Sequence, residues 1–179
     1  MIYLFLAQGF EEVEAITPLD LLRRAGAQIK TVGIGGRQIT GSHGIEITTD
    51  LDEKQIDLQD IEMIILPGGM PGTKNLEQSQ AVRNSIDYCV ENGKKVAAIC
   101  AAPSILGHMG VLSGHCAVCY PGYEQELKGA EVKTDPVCVS GNIITARGAG
   151  VALPFGLKLV EILFGKQKSD EMKEKVQCV

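Results

Sequence analysis

Cys100 ends the short apolar run Lys95-Val96-Ala97-Ala98-Ile99 and is followed at once by Ala101-Ala102-Pro103. Bounded by Asn92-Gly93 on one side and small residues on the other, this run predicts a buried strand. Two alanines add little bulk, and Pro103 suits the first turn of a helix, where its missing N–H would be unpaired anyway. Strand, sharp turn and helix with a thiol at the turn form the pattern of a nucleophile elbow. The side chain is lifted above the carboxyl end of a sheet and faces the free N–H groups of a helix. That field is expected to favour thiolate over thiol. The plain alternative is one more buried cysteine, a common fate for a free thiol.

Such a thiol needs a proton partner and donors for developing charge. Glu14 fits the first role by its place one turn into the first predicted helix. A carboxylate beside a thiolate repels it, so the useful arrangement shares a proton, with Glu14 protonated and donating to sulfur. Glu11 and Glu12 share that turn, and taken alone Glu14 also reads as a solvated glutamate favoured by the helix dipole. The N–H groups of Gly69, in the loop Pro67-Gly68-Gly69-Met70-Pro71-Gly72, and of Ala101 are candidates for an oxyanion hole. Cys116-Ala117-Val118-Cys119, preceded by His115, superficially resembles a metal or redox pair. In a strand, positions i and i+3 face opposite ways, so these read as structural cysteines, and no metal or cofactor is expected. His43 and His108 lack any partner signal and read as surface residues.

The elements that must position these groups alternate between strand and helix. Ile2 to Ala7 reads as a strand covered on both faces. Gln8 to Gly26 carries apolar residues at helical spacing, glutamates first and arginines last, with Pro18 expected to kink it. Gln28–Gly33 and Met63–Leu66 read as strands, and Arg37–Thr49 as a hairpin around Gly41-Ser42-His43-Gly44. Ser79–Glu91 is a predicted helix. After the elbow come a short helix to Gly110, strands at Cys116–Cys119, Val132–Ser140 and Asn142–Ala146, the turn Arg147–Gly150, a helix Val151–Phe164 and a charged final helix from Lys168. This order predicts one α/β domain over residues 1–179 with a mainly parallel sheet between helices. Functional groups in such folds lie beyond the carboxyl ends of the strands, and Gln8–Glu14, Pro67–Gly72, Cys100 and Arg147–Gly150 all follow predicted strands.

Composition narrows the function classes. A net charge of −5 with no basic run argues against a nucleic-acid partner. No apolar run approaches the ~18–20 residues of a membrane span, and Met1 to Gly9 lacks the basic opening of a signal peptide. The expectation is a cytoplasmic protein with no membrane contact, whose six cysteines are mostly reduced.

Taken together, Gly9-Phe10-Glu11-Glu12-Val13-Glu14, Leu66-Pro67-Gly68-Gly69, Ala97 to Pro103 and Thr145 to Gly150 resemble the DJ-1/ThiJ/PfpI superfamily, closest to its DJ-1-like branch. The resemblance spans nearly the whole domain in the family's order. It implies a flavodoxin-like three-layer sandwich, a homodimer with the first helix near its interface, Cys100 as the oxidisable reactive cysteine and Glu14 as its hydrogen-bonding partner. The Gly69 and Ala101 amides would line the site, with Gly68 and Tyr120 as auxiliary positions. Many members place a histidine near the cysteine where this chain has Tyr120. Neither His108 nor His115 matches that position, which argues against a Cys–His couple of the PfpI peptidase type. A phenol can still donate a hydrogen bond but is a poor base near neutral pH. The implied functions are cofactor-independent conversion of small reactive aldehydes of the glyoxalase III type, deglycation of glycated adducts, or oxidative-stress sensing and redox-regulated chaperoning through Cys100.

Overall fold

A computed structural model describes residues 1–178. In chain order the elements are β1 (Ile2–Leu6), α1 (Glu12–Ala25), β2 (Ile29–Gly33), β3 (Gln38–Thr40), β4 (Glu46–Thr48), β5 (Leu51–Asp52), β6 (Met63–Leu66), α2 (Gly72–Gln78) and α3 (Gln80–Glu91). There follow β7 (Lys95–Ile99), α4 (Pro103–His108), β8 (Cys116–Ala117), β9 (Glu131–Val132), β10 (Val137–Ser140), β11 (Ile143–Ala146), α5 (Ala152–Phe164) and α6 (Lys166–Lys175). Seven strands form the main sheet in the order β10-β11-β7-β6-β1-β2-β5, parallel except for the antiparallel edge pair β10/β11. No helix among the described residues is long and apolar enough to cross a membrane.

Strand alternation divides the core into two layers. Ile2, Leu4 and Leu6 pack with residues of α1, α5 and α6, including Leu22, Phe155, Leu159 and Met172. Tyr3 and Phe5 point the other way and pack with Leu76, Val82, Ile86, Ile105 and Leu106 from α2, α3 and α4. Every residue of β1 and β6 is buried, as strands covered on both faces require. The result is the flavodoxin-like three-layer α/β sandwich expected from the sequence.

Several boundaries differ from the sequence expectation. A separate short helix, α2, precedes α3, and β5 adds an edge strand that its two residues were too short to announce. Val132–Ser140 is not one strand: β9 pairs with β8 in a small sheet of its own, while β10 joins the main sheet. The interruption falls at Thr134-Asp135-Pro136, where proline cannot donate to a ladder and restricts the residue before it. Only Cys116–Ala117 of the predicted Cys116–Cys119 strand is paired. Pro18 lies inside α1, which continues through it to a left-handed Gly26 cap.

The sheet order carries the functional consequence. β11, β7, β6 and β1 are consecutive, parallel neighbours, so the segments leaving their carboxyl ends share one rim. The chain also reverses its direction of travel there, since β2 lies on one side of β1 and β6 on the other. Such a switch point opens a crevice above the strand ends.

Candidate active site

Cys100 leaves β7 with φ +67°, a left-handed conformation that a side chain rarely accepts. Holding a non-glycine residue there costs about 1–3 kcal/mol. It persists because β11 and the segment that follows β8 fix both of its peptide groups. The Cys100 N–H donates to the Ala146 carbonyl at 2.9 Å, and the Cys100 carbonyl accepts from Tyr120 N–H at 2.8 Å. The turn continues into α4, with Pro103 in its first turn.

Glu14 reaches the thiol from α1. It is only 1 % exposed, hydrogen-bonds to Cys100, and accepts from Gly68 N–H at 2.9 Å and from the backbone of Ala149. Burial raises its carboxyl to about 7, against the opposing pull of the hydrogen bonds from Cys100, Gly68 and Ala149. Near neutral pH the carboxyl is therefore poised to hold or release a proton.

The thiol behaves differently from the sequence expectation. Burial first, then the Glu14 charge and the hydrogen bond to it, push Cys100 up to about 12, while the amides of Ala101 and Gly69 pull it down. The expected stabilisation of thiolate by a helix terminus is outweighed. α4 is only six residues long, and its amides compete with desolvation and a neighbouring carboxylate. What the site favours is one proton held between carboxyl and sulfur. The first ionisation belongs to the pair, and with the carboxylate already formed the thiol resists losing its own proton.

Close backbone approach builds this arrangement. The loop after β6 packs on the start of α1: Glu11 N–H donates to the Gly68 carbonyl at 2.9 Å, and Gly72 N–H to the Gly9 carbonyl at 3.1 Å. The Met70–Pro71 bond within it is cis. A Cβ on Gly68 would stand 2.7 Å from Cys100 Cβ and 2.7 Å from Glu14 Oε2. Gly68→Ala is accordingly expected to cost about 1–3 kcal/mol as an overpacked site. A chemical denaturation midpoint equal to that of the unsubstituted chain would count against this packing.

A cleft of about 490 Å³ opens over the pair, lined by Glu11, Glu14, His43, Gly69, Met70, Cys100, Ala101, Tyr120, Tyr123 and Ala149. A larger groove of about 780 Å³ lies elsewhere, beside Gln8, Lys54 and Asn84, and contains no thiol. Tyr120 is 51 % exposed and borders the cleft, but it binds Cys100 through its backbone rather than its phenol. The Tyr120 ring also packs near Gly148, whose Cβ position lies 3.2 Å from Tyr120 Cδ2 and 3.9 Å from Cys100 Sγ.

His43 corrects the sequence reading most. It is exposed as expected, yet it has partners and lines the cleft. Its Nδ1 lies 2.9 Å from Glu12 Oε2 and 3.1 Å from Ser42 Oγ, and its backbone N–H donates to Glu12 Oε1 at 2.8 Å. Burial alone would raise the Glu12 carboxyl, but the bonds from the His43 side chain and the amides of Glu12, His43 and Ile45 hold it down at about 2. The carboxylate in turn raises His43 toward its charged form. No local pattern marked this histidine, because its partner stands 31 residues away and the hairpin docks only when the fold closes. Among the described residues no histidine hydrogen-bonds to Cys100. His108 is committed to Glu77 and to Glu126, the latter at 2.8 Å, and His115 to Ser140 at 3.0 Å.

Glu11, Glu12 and His43 are also the grouping among the described residues whose ligand atoms lie within 4.8 Å of one another. Its carboxylates already accept from Ser42 and from the amides of His43 and Ile45, as in an internal hydrogen-bond network.

The model of the DJ-1/PfpI family matches residues 1–162. Protein dj-1beta of Drosophila melanogaster is 36 % identical over 170 residues, covering 93 % of this chain and 91 % of that protein. The glutathione-independent glyoxalase DJR-1.2 of Caenorhabditis elegans is 30 % identical over 163 residues, covering 90 % and 87 %. The oxidized DJ-1 of Toxoplasma gondii superposes with a TM-score of 0.95 at 31 % identity, covering 98 % of this chain and 97 % of that one. With a family model matched over most of its length and relatives aligned nearly end to end, the chain belongs to the DJ-1/PfpI family.

Proposed function

We propose that this protein converts small reactive 2-oxoaldehydes to 2-hydroxy acids without an organic cofactor, using Cys100 as nucleophile and Glu14 as proton carrier. The observation that carries the reading is the buried Cys100–Glu14 hydrogen bond, with the carboxyl raised to about 7. In the reaction, sulfur adds to the aldehyde carbon and the shared proton passes to the carbonyl oxygen, giving a hemithioacetal. Glu14 then takes the proton from that carbon and returns one to the neighbouring carbon, which reduces the ketone as the aldehyde carbon is oxidised to a thioester. Water cleaves the thioester and restores the thiol. Electrons move only within the substrate, so aldehyde plus water balances to hydroxy acid. The amides of Gly69 and Ala101 already converge on the sulfur, where they can also meet the developing oxyanion. A relative named as a glutathione-independent glyoxalase supports the substrate class.

The experiment is direct: incubation with methylglyoxal, with the product followed by proton NMR. Lactate is expected. Methylglyoxal that persists, or is lost only as stable lysine and arginine adducts, would remove this reading.

The same donors favour a second reading, oxidation sensing at Cys100. A sulfinate there would accept from the two amides and from protonated Glu14. Mild peroxide should then add two oxygens at Cys100 before any other cysteine, as read by intact mass and peptide mapping. Earlier oxidation elsewhere would dismiss it.

A further inference from the structure

A pair of thiols lies outside the Cys100 cleft. The Sγ atoms of Cys116 on β8 and Cys138 on β10 are 2.8 Å apart. Cys116 is half-buried and Cys138 is 7 % exposed. Closing this gap to the ~2.05 Å of a disulfide asks for less than about 1 Å of sulfur movement.

The backbones on either side are already held in place. Cys116 N–H donates to Ser140 Oγ at 3.3 Å, and His115 Nδ1 lies 3.0 Å from the same hydroxyl. Cys138 is paired with Thr145 in the β10/β11 ladder, and Thr145 Oγ1 accepts from Val118 N–H at 3.0 Å. The segment carrying Cys116 is thus tied to the main sheet through Ser140 at one end of the pair and Thr145 at the other. The charged groups facing the thiols are Lys133, which favours a thiolate, and Asp135, which opposes it. Burial first, then Cys116, raise Cys138 to about 12; of these two sulfurs Cys116 is the more accessible to an external disulfide.

We propose that Cys116 and Cys138 are a reversible dithiol–disulfide pair, separate from Cys100, whose oxidant is a low-molecular-weight disulfide. Cys116 thiolate attacks one sulfur of that disulfide, its S–S bond breaks, and one thiolate leaves. Cys138 then gives up its proton and attacks the Cys116 sulfur of the mixed disulfide, expelling the second thiolate. Two protein thiols are oxidised, one external disulfide is reduced to two thiols, and the protons from both cysteines end on the released thiols. The closed loop runs from 116 to 138 and contains Tyr120 and Tyr123, which line the Cys100 cleft. Oxidation therefore staples one wall of the cleft to the sheet edge. This pairing does not depend on the aldehyde chemistry of Cys100.

The test equilibrates the unsubstituted chain and Cys100→Ser in glutathione buffers of graded oxidised-to-reduced ratio. Acid quenching, alkylation and non-reducing peptide mapping follow. The expected result is one cross-linked peptide pair joining Cys116 to Cys138, with two hydrogens lost, formed at the same ratio in both chains and reversed by dithiothreitol. Cys138→Ser should instead accumulate glutathione on Cys116. Stable glutathionylation or full alkylation of Cys116 in the unsubstituted chain across all ratios would overturn the proposal, as would a cross-link from either thiol to another cysteine. The map of the unsubstituted chain decides the matter even if Cys138→Ser fails to fold.

Discussion

Cys100→Ser is expected to lower kcat/KM for methylglyoxal by on the order of 10³-fold or more, because removing a nucleophile removes the covalent route rather than one contact along it. Serine keeps the size of the side chain closely enough for the elbow to form, so the loss should appear without unfolding. A hydroxyl also shares the proton of Glu14 less usefully, since its alkoxide is far less accessible than a thiolate. Initial rates of methylglyoxal consumption, with circular dichroism to confirm the fold, read the effect. Turnover equal to that of the unsubstituted chain would mean that Cys100 is a strained but inert core thiol.

Glu14→Gln carries the second large effect and separates chemistry from stability. The amide keeps an acceptor for Gly68 N–H but cannot move a proton, so kcat/KM should fall by about 10²–10⁴-fold. In the unsubstituted chain kcat/KM should rise with pH through about 7, as the pair gives up its first proton. The variant should lack that inflection. Stability should move the other way. The Glu14 carboxyl is raised from 4.5 to about 7 on folding, so between those values the folded chain holds a proton that the unfolded chain has lost. Stability from this group is full below 4.5, declines as pH rises through 7, and is about 3 kcal/mol poorer above it. Glutamine never ionises and escapes that cost. Urea unfolding at about pH 8 should find Glu14→Gln more stable by roughly 1–3 kcal/mol, with the advantage gone near pH 4.5. A variant less stable at both values would show that the carboxyl is satisfied rather than strained.

The two substitutions together describe a site maintained against local preference. A left-handed cysteine and a buried, raised carboxyl each make the fold less stable than an inert pair would. Gly68 permits the close contact, and its N–H lowers the cost of the carboxyl without removing its burial. Activity and stability should therefore trade against each other at Glu14.

Much of this was legible in the residues themselves. The apolar runs at Ile2–Leu6, Met63–Leu66 and Lys95–Ile99 announced buried strands because strands covered on both faces have no polar side to show. The elbow was legible because Ala101-Ala102-Pro103 combines small bulk with a proline suited to a first helical turn. Physical reading left Glu14 undecided among three first-turn glutamates, and only the family resemblance singled it out. Helical spacing shows why the structure can distinguish them: Glu14 turns into the rim, while Glu12 turns toward the hairpin and His43.

What tertiary structure alone decided were the properties that depend on partners distant in sequence. The direction of the Cys100 shift came from burial and Glu14 charge, terms that no local pattern contains. His43 joined the cleft through a carboxylate 31 residues earlier, and Cys116 found Cys138 rather than the nearby Cys119. Periodicity reports which face of an element is apolar. It does not report which elements meet at a sheet edge. The sequence by itself determined the layered fold and the thiol at the end of β7, because these follow from local sterics and apolar patterning. The shared proton, the histidine at the rim and the Cys116–Cys138 pair exist only where separate strands and loops are brought within hydrogen-bond distance, and that is settled by packing.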